Sequence, residues 1–186
     1  MTWYLVLLRG INVGGRNKVP IAVLRELLES HGHTKVSTYI ASGNVILSSD
    51  RSAAGIKREL EEALPKTLKL DSERIAVLVL TRAQLRAVVR GRPKGFGDQP
   101  DMFNSDAVFL MGIDAATAMQ MFDPRPGVDE VRPGKGVIYS QRLTAQRTKS
   151  RLGRIVGTPA YRSMTIRSWA TTMALLERME AREDDA

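Results

Sequence analysis

The chain has 186 residues, 43% of them hydrophobic, with a formal net charge of +8 and no cysteine. That length suits one large domain or two small ones, and the apolar content is enough for a packed core, which excludes wholesale disorder. The lack of cysteine excludes disulfides, thiol catalysis and zinc–thiolate sites, while the positive balance favours acidic partners.

Residues 3–8 form a continuous apolar run, as expected of a strand buried on both faces. No basic segment precedes the run, and it is too short for a signal core or a membrane span. The chain therefore reads as cytoplasmic, with no membrane partner. A loop rich in glycine follows, Arg9-Gly-Ile-Asn-Val-Gly-Gly-Arg-Asn-Lys-Val-Pro20. Val23, Leu24, Leu27 and Leu28 then recur at helical spacing, which predicts a helix over 20–31, started by Pro20 and stopped by Gly32. Residues 35–40 and 45–47 are expected strands, joined by a tight turn at Ala41-Ser-Gly-Asn44. Ile56, Leu60 and Leu64 mark the inner face of a second helix that starts near Ser52 and is expected to end at Pro65. Residues 75–80 are a fourth strand, and Thr81 is placed to cap a helix over 82–89.

The first half thus has the order βαββαβ followed by a helix, that of a ferredoxin-like split βαβ sandwich. Residues 92–101 have the composition of a linker. The second half repeats the order more faintly. Strands are expected at 107–111, 128–132, 136–140 and 161–165, with helices at 115–121, 144–156 and 167–179 and an acidic tail from Glu180. The expected organisation is α+β: two tandem ferredoxin-like (α/β-plait) subdomains, at 1–91 and 102–186, each followed by an extra helix. A two-layer sandwich covers one sheet face only, so the second half is expected to cover the other face of strands one and four.

The topology brings two polar segments together. If strand one rises, the Gly10–Val19 loop and the Ser42–Asn44 hairpin lie at the same end of the sheet. Gly10, Gly14 and Gly15 permit backbone shapes that expose N–H groups, and Gly43 does the same in the hairpin. Arg9, Arg16 and Lys18 supply positive charge. Asn12, Asn17, Ser42 and Asn44 supply hydrogen-bonding groups, either to a ligand or back to the loop itself. The first-turn amides of the helix after Pro20 add a partial positive charge.

Gly10 and Gly15 have the G-x-x-x-x-G spacing of a phosphate-binding P-loop, but Arg16 and Asn17 stand where Lys and Ser/Thr are needed, which argues against nucleotide hydrolysis. Two arginine stripes, Arg82/Arg86/Arg90 and Arg147/Arg151/Arg154 with Lys149, are spaced to follow helix faces. Either stripe could track a phosphate backbone, or it is simply a solvated face. Aromatic residues make up 5% of the chain, too few for a single-strand stacking surface. His31 and His33 lack a third ligand at useful spacing, so no metal site is expected, nor is any cofactor.

At Arg9-Gly-Ile-Asn-Val-Gly-Gly15, Asn17-Lys-Val-Pro20 and Ser42-Gly43-Asn44 the sequence resembles the bacterial domain-of-unknown-function family 1697. The likeness extends more loosely to Thr165, Arg167 and Trp169. It implies two α/β-plait subdomains and no established reaction. Arg16 stands where lysine is frequent in that family, and Ser168 and Ala170 flank Trp169 where asparagine is frequent.

The sequence therefore points to a protein that binds an anion, either nucleic acid or a small phosphorylated ligand, through the loop and hairpin. An enzyme acting on a small phosphorylated or carboxylated metabolite, or a protein-interaction scaffold, are the alternatives. No catalytic residue stands out.

Overall fold

Strand β1 (Thr2–Leu8) is buried from Trp3 onward, as its unbroken apolar run requires. It lies inside a four-stranded sheet between β3 (Asn44–Ser49) and β4 (Val77–Thr81), with β2 (Thr34–Thr38) at the far edge. The strand order is β2-β3-β1-β4 and every neighbouring pair is antiparallel. The computed structural model describes residues 1–72 and 74–182. Within it the chain divides into two compact units: residues 1–85 with the described residues from Leu175 onward, and residues 86–174. The fold is mixed α+β, with one four-stranded antiparallel sheet in each unit.

In the first unit, alternate residues of β1 point to opposite faces. Tyr4, Val6 and Leu8 enter a core with Leu24, Leu27 and Leu28 of α1 (Ile21–Ser30) and Ile56, Leu60 and Leu64 of α2 (Ala53–Thr67). Those helical residues recur every three or four positions, so each helix lays one apolar stripe on the sheet. Ser52 caps α2 by accepting from Gly55 N at 3.1 Å. Pro65 does not end α2, which continues to Thr67.

Trp3, Leu5 and Leu7 on the other face are also buried. Arg182 lies 5.4 Å from the Trp3 ring centre and donates to Ser37 Oγ at 3.0 Å, and Arg178 lies 4.5 Å from the Tyr39 ring. Cations stacked on aromatic faces in this way cover apolar surface while keeping their charge hydrated. Helix α3 (Arg82–Arg90) opens on a reciprocal capping box, with Thr81 N donating to Gln84 Oε1 at 2.8 Å and Gln84 N to Thr81 Oγ1 at 3.2 Å. Arg82, the first member of the expected stripe, donates to Arg182 O.

The second unit has the sheet order β6-β7-β5-β8, again antiparallel throughout. Its strands are β5 (Phe103–Leu110), β6 (Asp129–Gly134), β7 (Val137–Leu143) and β8 (Met164–Ser168), with α4 (Ala115–Met119) between β5 and β6. Val108, Leu110, Ile138 and Met164 pack with Leu152 and Ile155.

One expectation is corrected here. Residues 144–156 do not form one α-helix. The chain makes three short 3-10 turns, Thr144–Lys149, Leu152–Gly157 and Pro159–Ser163, because Ser150, Gly153, Gly157 and Pro159 interrupt longer propagation. The second arginine stripe is therefore not a helix face, and Arg151 and Arg154 both pair with Asp123, at 3.2 and 2.8 Å.

Residues 92–101 include one buried aromatic side chain. Phe96 is buried and packs edge-on against Tyr139 and Trp169, with ring centres 5.3 and 5.1 Å away. Trp169 opens the last helix, α5 (Trp169–Glu180), so Glu180 is still helical. The expected tail beyond residue 182 lies outside the described residues.

Candidate functional site

The loop between β1 and α1 is pinned at both ends by apolar side chains. Ile11 and Val19 are 1% and 2% exposed and belong to the first unit's core. Between them the chain reverses at Val13-Gly14-Gly15-Arg16, closed by Arg16 N donating to Val13 O at 3.0 Å. Gly14 and Gly15 have φ of 58° and 77°, as a two-residue hairpin tip of primed type requires.

Two asparagines hold this loop. Asn12 and Asn17 both sit at positive φ, 54° and 46°, a region that asparagine tolerates better than most side chains. Asn12 Oδ1 accepts from Val19 N at 2.9 Å, and its Nδ2 donates to Val19 O at 3.1 Å and to Ala41 O at 2.9 Å. The last bond ties loop to hairpin. Asn17 is 7% exposed. Its Nδ2 donates to Gly10 O and Ser72 Oγ, its Oδ1 accepts from Ser72 N, all at 3.0 Å, and its backbone N–H donates to Asp71 Oδ2.

The hairpin is held just as firmly. Asn44 Nδ2 donates to Tyr39 O and Ser42 Oγ, both at 3.0 Å, and Leu8 N donates to Gly43 O at 2.8 Å. Gly43 has φ of +77°, and a Cβ there would meet Leu8 O at 2.8 Å and Leu8 Cβ at 2.9 Å. Only glycine lets the hairpin approach β1 this closely. The loop and the hairpin therefore do meet at one end of the sheet. The side-chain amides of Asn12, Asn17 and Asn44 are engaged within the chain, so their part in any site is to place it. Asp71 and Ser72 brace the loop too. Their role had no local signal, because they lie 54 and 55 residues from Asn17.

The charged side chains are arranged differently. Arg16 and Lys18 are exposed and Arg9 is half-buried. Pro20 is the N-cap of α1 and no side chain caps that helix, so its first-turn amides keep their donor capacity and partial positive charge. Val13 and Ile40, one residue from the bonded Asn12 and Ala41, are 64% and 54% exposed. Ile40 holds a φ of +48°, an unusual conformation for a β-branched residue and of the kind that gathers at functional sites.

The C-terminal trio is more deeply placed. Arg167 of β8 is 8% exposed, and its Nη1 donates to Thr165 Oγ1 at 2.9 Å and Ile166 O at 2.8 Å. Burial lowers its pKa to about 10. His31 and His33 serve the fold. His31 Nδ1 meets Leu27 O at 2.8 Å, and His33 lies between Ser49 Oγ at 3.1 Å and Glu59 Oε1 at 2.8 Å. Among the described residues no group of three or more His, Cys, Asp or Glu is placed to hold a metal ion, and no helix is long and apolar enough to cross a membrane.

No curated protein matches the chain. A solved structure described as that of the conserved bacterial protein SP0830 from Streptococcus pneumoniae is similar to it at 27% identity, with a TM-score of 0.80, over 96% of this chain and 98% of that one. The model of the family described as "Protein of unknown function (DUF1697)" matches residues 1–139. That span contains the glycine loop, the bracing Asp71 and Ser72 and the hairpin, and stops short of the Thr165, Arg167 and Trp169 trio. With three quarters of its length matched, the chain belongs to the DUF1697 family.

Proposed function

We propose that the corner built by Arg9, Gly10, Asn12, Gly14, Gly15, Arg16, Asn17 and Lys18 with Ser42, Gly43 and Asn44 binds an anionic ligand, a phosphate group carried by nucleic acid or by a small molecule, in the cytoplasm. The observation that carries this reading is a division of labour. The asparagine amides are turned inward to fix the loop, while Arg16 and Lys18 stand exposed beside the uncapped start of α1. Backbone donors and two cations around one turn form a setting that favours phosphate oxygens. Exposed Val13 and Ile40 add an apolar rim suited to the non-phosphate part of such a ligand. We also read each unit as a ferredoxin-like plait. What supports that is the antiparallel order with the first and third strands central in both sheets.

Binding of a short single-stranded oligonucleotide and of inorganic phosphate, measured across a salt series, tests the function. Affinity for the oligonucleotide should fall steeply with salt. Arg16→Ala and Lys18→Ala should each weaken binding and reduce the salt slope by about one. Affinity unchanged between low and high salt counts against the proposal, and so does binding that neither substitution alters.

A further inference from the structure

We propose that the second unit carries its own ligand site, independent of the loop: a groove for a small phosphate ester bearing hydroxyl groups, lined by Arg92, Arg142, Arg147, Asn104, Asp106 and Trp169. The groove has a volume of about 550 Å³, within the range of sites that take a metabolite-sized ligand. Asn104 and Asp106 project from β5 and Arg142 from β7, where Asn104 and Arg142 are cross-strand partners. Arg147 comes from the first 3-10 turn and Trp169 from the start of α5.

Three guanidinium groups face one carboxyl, so the groove has surplus positive charge. Arg142 Nη1 lies 3.5 Å from Asp106 Oδ2, at the outer limit of a hydrogen bond, which leaves donors for a second acceptor. Arg92 pairs with Asp98 at 3.1 Å, but that carboxylate is half exposed, where ion pairs are weak and readily exchanged. Forked guanidinium groups match phosphate oxygens in geometry as well as charge.

Asp106 sets the second requirement. A groove built for a bare anion has no use for a carboxyl among its arginines. A carboxyl next to an asparagine amide is, however, suited to hydroxyl groups, which both donate and accept. Burial pushes the Asp106 carboxyl above its ordinary value, against the pull of Arg142. Asp106 and Arg142 also line a smaller cavity of about 220 Å³ beside the groove, and so form the partition between the two.

The wall is rigid. Trp169 is held edge-on by Phe96 and Tyr139, at 5.1 and 6.3 Å. A Cβ on Gly97 would lie 2.2 Å from Trp169 Cδ1, so only glycine fits under the indole. Arg92 Cζ sits 5.9 Å from the indole centre.

The test uses the two tryptophans of the full chain, whose indole N–H resonances report on different units: Trp3 on the first, Trp169 on the second. Ribose 5-phosphate, adenosine monophosphate and inorganic phosphate are titrated in turn, with Trp3→Phe used to assign the two signals. The two esters should shift the Trp169 signal saturably. Arg147→Gln, at an exposed position, should weaken that binding about tenfold, the loss expected for one charge-assisted contact. Arg142→Gln should do the same, and if it fails to fold Arg147→Gln decides alone. Arg132→Ala, in the same unit and outside the groove, should leave the affinity unchanged.

Tighter binding of adenosine monophosphate than of ribose 5-phosphate identifies the ligand as a nucleotide, and equal binding as a sugar phosphate. The proposal is overturned if no probe moves the Trp169 signal up to about 10 mM, a limit equal to about −3 kcal/mol of binding. It is equally overturned if Arg147→Gln binds as the parent does, or if inorganic phosphate binds as tightly as both esters.

Discussion

Replacing Gly43 by alanine tests the contact on which the loop–hairpin corner depends. Two costs add. The residue holds φ of +77°, where an L side chain costs about 1–2 kcal/mol. The new Cβ would also lie 2.8 Å from Leu8 O and 2.9 Å from Leu8 Cβ. Both atoms belong to a central strand that cannot yield without disturbing its neighbours, so overpacking adds about 1–3 kcal/mol. Gly14→Ala is the internal control. Its φ is +58° but nothing lies within 4 Å of its added Cβ, so it carries the backbone cost alone. The loss of unfolded-chain entropy is common to both substitutions and cancels in the comparison. With a urea m-value of about 2 kcal/mol/M, the midpoint for Gly43→Ala should lie about 0.5–1.5 M below that for Gly14→Ala. Denaturation followed by far-ultraviolet circular dichroism measures both. Equal midpoints would mean that the hairpin does not press on β1, and the spatial basis of the proposed site would fall with it.

Tyr139→Phe removes the hydroxyl that donates to Val88 O at 2.7 Å in a buried setting. It should lower stability by about 1–3 kcal/mol, and Tm by about 2–4 °C per kcal/mol; an unchanged Tm would show that the bond contributes nothing. His33 gives a pH dependence. Burial, then Arg51, pushes its pKa below the ordinary 6.5. Glu59 lies close enough to favour the charged ring, but Arg51 pairs with that same carboxylate, and the neutral ring is favoured. A neutral ring is also able to donate from Nε2 to Glu59 while accepting from Ser49 at Nδ1. The folded pKa is thus below the unfolded one, so the stability is present above 6.5 and is lost as pH falls through the lowered value. Urea midpoints measured downward from pH 7 should decline, and His33→Gln should flatten that decline; equal slopes in parent and variant would refute a neutral buried imidazole.

What the sequence reveals of this fold depends on how far apart the interacting residues are. Leu24, Leu27 and Leu28, or Ile56, Leu60 and Leu64, declare their helices because the pattern repeats within a turn or two, and all six are buried as the spacing requires. The meeting of loop and hairpin was legible as well, since it follows from strand direction alone. By contrast, Arg147, Arg151 and Arg154 imitate a helical stripe, and only the accumulation of Ser150, Gly153, Gly157 and Pro159 marks the breaks that outweigh it. The asparagines are the sharper case. Nothing near Asn17 announces that its partners are Asp71 and Ser72, and nothing near Asp106 announces Arg142, 36 residues away. A side-chain amide has the same composition whether it serves a ligand or its own backbone, and long-range packing decides which. Here that choice sorts the corner by chemistry: the amides of Asn12, Asn17 and Asn44 are consumed in holding its shape, and Arg16 and Lys18 are left exposed. On the proposed anion-binding reading, selectivity comes from charge, from backbone donors and from the apolar rim at Val13 and Ile40, not from side-chain amides. Asparagine substitutions should accordingly change stability before they change which anion is preferred.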